Sequence, residues 1–319
     1  MLLPVSAGAG PATLGNGAAL KHLVKALLRT NRNGSEMSMF KTLIAPADLA
    51  MLLDAGDVAL FDCTFELGKP DAGYAAYVES HLPTARYLNL DHDLSAPPSG
   101  TNGRHPLPDP AAFAALMRAN GLKQGQQVVA YDDSGGPYAA RLWWMLRWLG
   151  HDAVAVLDGG RHAWIAVGGG MESGPAPTAT PGDFAATPHH DHAVTAAAIE
   201  ANIADPTFTV IDARSASRFA GEPNPMDPVA GHIPGARNRF YGDNLDTSGR
   251  FKPATELAAD FDRIRGATQP GDIVMQCGSG VTACHNLLAM EVAGRPGARL
   301  YPGSWSEWIS DPNRPIEHG

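Results

Sequence analysis

Apolar and polar positions fall into two kinds of segment along the chain. Short, almost unbroken apolar runs, Val58-Ala59-Leu60-Phe61-Asp62, Val128-Val129-Ala130-Tyr131, Thr209-Val210-Ile211-Asp212 and Ile273-Val274-Met275, predict strands buried on both faces. Between them lie segments of helical period that begin behind a stop signal: Pro110 to Asn120 after Asp109, and Ala254 to Arg265 after Pro253. The aromatic-rich Leu142-Trp143-Trp144-Met145-Leu146-Arg147-Trp148 reads as a helix face packed on a sheet. Strands alternating with helices predict parallel βαβ units, hence the α/β class.

The pattern occurs twice, in the same order. Val58 to Asp62 matches Thr209 to Asp212, His81-Leu82-Pro83 matches His232-Ile233-Pro234, and Gly103-Arg104 matches Gly249-Arg250. Strand 128–131 matches strand 273–276, and Trp164 matches Trp308. A duplicated α/β domain follows, with one copy over 39–168 and the other over 193–319. Residues 169–192 are rich in Gly, Pro, Ala and Thr without periodicity and read as a linker. Residues 1–38 are basic until Glu36 and broken by Gly and Pro, which predicts a disordered N-terminal extension.

Composition narrows the function. No apolar run approaches the roughly 18 residues of a membrane span, and a net charge of -9 with a pI near 5.7 argues against a nucleic-acid surface. Three cysteines make no disulfide framework and suit a reducing compartment. The cysteines therefore serve chemistry or packing, and two of them, Cys63 and Cys284, read as packing residues.

The third is different. Cys277-Gly278-Ser279-Gly280-Val281-Thr282-Ala283-Cys284 follows the strand at 273–275 and leads into a helix that ends at Gly294. Glycines let successive N–H groups converge on one point, and the helix N-terminus adds partial positive charge. A sulfur placed there is favoured as the attacking thiolate and can carry a second sulfur as a persulfide. At the same position the first copy has Asp132, so its loop cannot form a persulfide.

The string CGSGVTAC, together with Tyr301-Pro302-Gly303-Ser304-Trp305-Ser306-Glu307-Trp308, closely resembles the active-site loop and C-terminal signature of the two-domain rhodanese-type sulfurtransferases. The resemblance implies two tandem rhodanese-like domains, each a parallel β-sheet flanked by helices, the first one inactive. Gly-Ser-Gly after the cysteine looks like the 3-mercaptopyruvate type, because thiosulfate-specific relatives carry basic residues there. The implied reaction moves a sulfane sulfur from 3-mercaptopyruvate to Cys277 with release of pyruvate. The acceptor would be cyanide, a small thiol or thioredoxin, no metal or organic cofactor is implied, and a cytoplasmic location is expected.

By the same resemblance Cys277, Ser279, Asp62 and His81 are the expected catalytic residues, the last three handling a proton. Arg218 is the expected anion-binding residue, with Gly278, Gly280, Val281 and Thr282 lining the substrate. Mercaptopyruvate-type enzymes often carry a second arginine further on, where this chain has Glu222-Pro223-Asn224-Pro225-Met226. Arg214 reads as a structural ion pair, and His232 as part of a repeated turn. His189-His190-Asp191-His192 has metal-ligand residue types but reads as solvated linker. Thiosulfate as donor is the alternative reading, and a non-enzymatic persulfide carrier a further one. A Cys-x5-Arg phosphatase is excluded by Ala283 in place of the arginine.

Overall fold

Two parallel sheets carry the chain. The first contains β1 (Leu43–Ile44), β2 (Val58–Asp62), β3 (Arg86–Tyr87), β4 (Gln127–Tyr131) and β5 (Val154–Leu157), in the order β1-β5-β4-β2-β3. The second contains β6 (Thr209–Asp212), β7 (Arg237–Asn238), β8 (Ile273–Gln276) and β9 (Arg299–Leu300), in the order β7-β6-β8-β9. Every pairing within these sheets is parallel. Helices α1 (Pro46–Ala55), α2 (Ala72–Glu79), α3 (Pro110–Ala119), α4 (Pro137–Trp148) and α5 (Gly160–Ala166) belong to the first sheet. Helices α6 (Ala196–Ala204), α7 (Ala216–Ala220), α8 (Ala254–Arg265), α9 (Thr282–Val292) and α10 (Ser304–Trp308) belong to the second. This computed structural model describes residues 39–319; the expected extension over 1–38 lies outside the described residues.

Local chemistry explains the elements. Each β4 and β8 residue is buried, as the unbroken apolar runs predict. α3 starts where Pro110 fixes the first turn and the Asp109 carboxylate accepts the N–H groups of Ala111 and Ala112 at 3.0 and 2.9 Å. Replacing such a cap by alanine costs about 1 kcal/mol.

α4 and α9, which follow the two central strands, are buried almost all round because they lie against each other between the sheets. One apolar cluster runs from Phe61 and Val128 through Trp143 and Leu146, then Leu287 and Met290, to Ile211 and Met275. Each such side chain contributes roughly 1.5–3 kcal/mol on burial, so the two copies share a core rather than a loose contact.

Two turns cross this interface reciprocally. Gly103 has φ +83° and lies so close to Gly303 O that a side chain could not be fitted, and the Arg104 N–H donates to Ser306 Oγ at 3.0 Å. In mirror fashion the Arg250 side chain lies over Gly159, and the Phe251 N–H donates to Asp158 Oδ1 at 2.9 Å. The Gly-Arg repeat in the sequence is thus the device by which each copy reaches over the other.

The stretch read as a linker is tied down along the first sheet's domain. The Trp164 Nε1–H donates to Gly170 O, Glu172 pairs with His81 through two backbone bonds, and Phe184 is fully buried. Its composition hides this, because backbone bonds need no particular side chain.

Candidate active site

Cys277 is the first residue after β8, and the C-terminal signature holds it there. Its N–H donates to Ser304 Oγ at 3.1 Å, while its carbonyl accepts from the Trp305 N–H and that of Gly278 from the Ser306 N–H, both at 3.0 Å. Gly280 has φ +75° and packs so closely on Pro302 O that no Cβ could be accommodated. This interlock explains why the two sequence strings occur together. Among the described residues, no group accepts the N–H of Gly278, Ser279, Gly280 or Val281.

The first copy shows what such a loop binds. Five residues, 132–136, separate β4 from α4, and five, 277–281, separate β8 from α9. In the first loop the Asp132 carboxylate accepts four N–H groups, those of Ser134, Gly136, Tyr138 and Ala139, at 2.8–2.9 Å. The loop folds around an anion, and in the first copy the chain supplies that anion itself. In the second copy the corresponding position carries sulfur.

The cleft over Cys277 has a volume of about 280 Å³. Leu90 and Tyr138 wall it from the first domain, and Phe240, Tyr241 and Val281 from the second. Gly278, Ser279, Val281 and Thr282 line this cleft, whereas Gly280 does not and serves the backbone turn.

Charged side chains gather on one side. Arg218 donates from Nε and Nη2 to both oxygens of Asp227 at 2.7 and 2.8 Å. Arg214, fully buried, holds Asp212 from Nε and Nη2 and also reaches Asp227 at 3.4 Å, the structural pairing expected of it. Burial alone would raise the Asp227 carboxyl, but the Arg218 fork and Asn224 outweigh it and hold it below the usual range. Arg104 enters from the first domain, donating from Nη1 to Met226 O at 2.7 Å.

The other side holds a polar relay. Ser279 Oγ lies 2.8 Å from His105 Nδ1, and His105 Nε2 lies 3.1 Å from Asp91 Oδ1. Burial, then the nearby Arg141 charge, push the His105 imidazole down to about 4, so it is neutral near pH 7. With its proton on Nε2 facing Asp91, Nδ1 is left to accept from the serine hydroxyl. Arg141, fully buried, donates to Gly280 O and His105 O at 3.1 Å and to Leu94 O at 3.3 Å, fastening the cysteine loop to the histidine segment.

Asp62 and His81, the expected partners of Ser279, are engaged elsewhere. The Asp62 carboxylate accepts the Thr64 N–H at 2.8 Å. His81 Nδ1 bonds Tyr77 O at 2.7 Å, with its ring stacked on Tyr77. Neither lines the cleft. The side chains that face Ser279 come instead from the aperiodic segment between β3 and α3. A signal did exist: after the repeated Gly-Arg the first copy has His105 where the second has Phe251, a polar departure inside an otherwise matching repeat. Arg104, Asp91 and Arg141 were likewise missed.

His232, with Nδ1 on Phe219 O and its ring stacked on Phe219, is structural. Cys63 and Cys284 are buried and free, and burial pushes both thiols up. His189, Asp191 and His192 bring three ligand atoms within 4.8 Å of one another, closer than a solvated linker required, at a place outside the Cys277 cleft.

Comparison with known proteins agrees with this geometry. The rhodanese-like domain family matches residues 45–167 and 195–311. A Pseudomonas aeruginosa protein named "Probable 3-mercaptopyruvate sulfurtransferase" is 47% identical over 87% of this chain and 98% of its own. A Mycobacterium tuberculosis relative bearing a thiosulfate sulfurtransferase name, SseB, is 40% identical over 88% of this chain and 98% of its own. The structure of 3-mercaptopyruvate sulfurtransferase from Leishmania major superimposes with a TM-score of 0.77 at 35% identity, covering 86% of this chain and 75% of that one. With two matched domains, each a parallel sheet flanked by helices, the chain belongs to the rhodanese family.

Proposed function

We propose that this chain is a sulfurtransferase that takes its sulfur from 3-mercaptopyruvate through a persulfide on Cys277. The observation that carries the donor is the Asp91–His105–Ser279 relay beside the cysteine. Attack of the Cys277 thiolate on the donor sulfur forms an S–S bond and breaks the donor's S–C bond, leaving the enolate of pyruvate. The donor's thiol proton passes to the enolate carbon, so thiolate and mercaptopyruvate give persulfide and pyruvate with no outside oxidant. Ser279, polarised by neutral His105, is placed to hand that proton across. The unengaged loop N–H groups stabilise the persulfide anion as the first loop stabilises Asp132.

Relatives are named for either donor. Thiosulfate expels sulfite, a weak base that needs no proton, so a relay would be idle in that reaction. The persulfide then passes to a small acceptor, cyanide, a small thiol or the thiol of thioredoxin. Three buried free cysteines suit a reducing cytoplasm, and no described helix is long and apolar enough to cross a membrane. Steady-state comparison of the two donors tests the reading. A higher kcat/KM for mercaptopyruvate is expected, and a higher one for thiosulfate would transfer the assignment to the alternative donor.

A further inference from the structure

His189, Asp191 and His192 lie where the chain passes from the first copy to the second. The His192 N–H donates to His189 O at 3.1 Å, closing a 3₁₀ turn over His190–His192. Side chains three residues apart eclipse one another in such a turn, so the two imidazoles stack with ring centroids 4.9 Å apart and planes 23° from parallel. One nitrogen from each ring and one Asp191 carboxylate oxygen then lie within 4.8 Å of one another, and His190 in the same turn stays outside the group. Bonds of about 2.0–2.2 Å to one tetrahedral ion would set such atoms about 3.4 Å apart. Side-chain rotation supplies that contraction, because His189 and Asp191 are exposed and His192 is half-buried.

The backbone under the three side chains is held from both domains. The His189 N–H donates to Trp148 O at the end of α4 at 2.8 Å, and the Thr187 N–H to Leu149 O at 2.9 Å. Beyond the turn Ala193 pairs with Leu300 of β9, and the Val194 N–H donates to Leu300 O at 2.8 Å. The side chains themselves are uncommitted: among the described residues none of the three takes part in a hydrogen bond or an ion pair. Asp191 and His192 open on a cavity of about 570 Å³ between α4 and α9, and the arginines around it are already engaged. Arg147 pairs with Glu291 at 3.2 Å, Arg295 with Asp262 at 2.6 Å, and Arg299 lies over the Phe208 ring. The Asp191 carboxylate therefore keeps its charge for another cation.

We propose that His189, Asp191 and His192 bind one divalent transition ion of the zinc class, which clamps the crossover between the two copies. Two imidazoles with one carboxylate suit such borderline ions, whereas magnesium and calcium want oxygen ligands and copper(I) wants sulfur. The cluster opens to solvent, so water completes the coordination. The ion takes no part in sulfur transfer, because its ligands lie outside the Cys277 cleft. Its effect is on stability: it favours the folded turn, whose ligands are already gathered, over the unfolded chain, where they are not.

The test titrates Zn²⁺ into the full, tag-free chain carrying Cys277→Ser, so that the reactive sulfur cannot take the metal, and follows binding by calorimetry and by thermal midpoint. One ion should bind per chain and raise the midpoint. Adding His192→Ala or Asp191→Asn should weaken binding at least about tenfold and abolish the rise, while His190→Ala, in the same turn but outside the cluster, should change binding less than about threefold. Excess Mg²⁺ should not displace the zinc. With Cys277 intact and no zinc added, His192→Ala should release pyruvate from mercaptopyruvate at the wild-type rate. No binding, equal binding by the His192→Ala chain, an equal loss in His190→Ala, or displacement by Mg²⁺ would each overturn the assignment. A fall in pyruvate release by His192→Ala would overturn the separation of this site from catalysis.

Discussion

Replacing His105 by glutamine separates proton handling from everything else the cleft does. Glutamine can still donate to Asp91, but it cannot take a proton from Ser279 and return it. The geometry sets the size of the effect: a 2.8 Å contact between Ser279 Oγ and His105 Nδ1 is within the range where a positioned acid–base group contributes roughly 10²- to 10⁴-fold. We expect kcat for pyruvate release from mercaptopyruvate to fall about 100-fold, and turnover of thiosulfate to cyanide to stay within about threefold. Two parallel steady-state assays, one following pyruvate and one thiocyanate, measure both. Equal losses with the two donors would refute the relay and leave His105 as a prop for the loop that Arg141 ties to it.

The same residue sets a pH signature. Because burial lowers the imidazole from 6.5 to about 4, the wild-type relay should stay competent well below pH 6.5 and fail only as pH falls toward 4. The unfolded chain takes that proton first, so stability is complete above pH 6.5 and declines as pH drops from 6.5 toward 4. His105→Gln removes this contribution, and its thermal midpoint should fall less steeply over that window.

Gly280→Ala places a side chain on a left-handed residue pressed against Pro302 O, and it should destabilise the fold by about 2 kcal/mol or more in denaturant titration; an unchanged midpoint would contradict the interlock of loop and signature. Asp132→Ala leaves four N–H groups without their acceptor in the first loop, each worth roughly 1–3 kcal/mol if left bare. It should cost stability but, because Asp132 is not in the Cys277 cleft, the folded fraction should retain its specific activity.

How much of this was legible in the sequence depended on whether position or reach was being asked. The central strands, α3 with its Asp109 cap and α8 from Ala254 to Arg265 were visible because burial and capping are local properties. The reactive loop was visible because a strand, a cysteine, two glycines and a helix start are contiguous. Asp91, Arg104 and His105 were not, since they lie in a segment without period whose path is set by contacts with Ser306, Ser279 and Met226 some 120 to 200 positions away. Matching the two copies even worked against finding them. It paired Gly103-Arg104 with Gly249-Arg250, and the two do form matching turns across the interface, but the match carries no sign that the Arg104 side chain reaches the Cys277 cleft.

The central claim is that sulfur passes through Cys277. Intact-protein mass spectrometry after a single equivalent of mercaptopyruvate, with pyruvate measured in the same tube, tests it most directly. Wild type should gain one sulfur for each pyruvate released, and Cys277→Ser, whose hydroxyl fits the loop but cannot form a persulfide, should gain none and release none. Pyruvate release by Cys277→Ser, or sulfur carried on Cys63 or Cys284 in the wild type, would contradict the account.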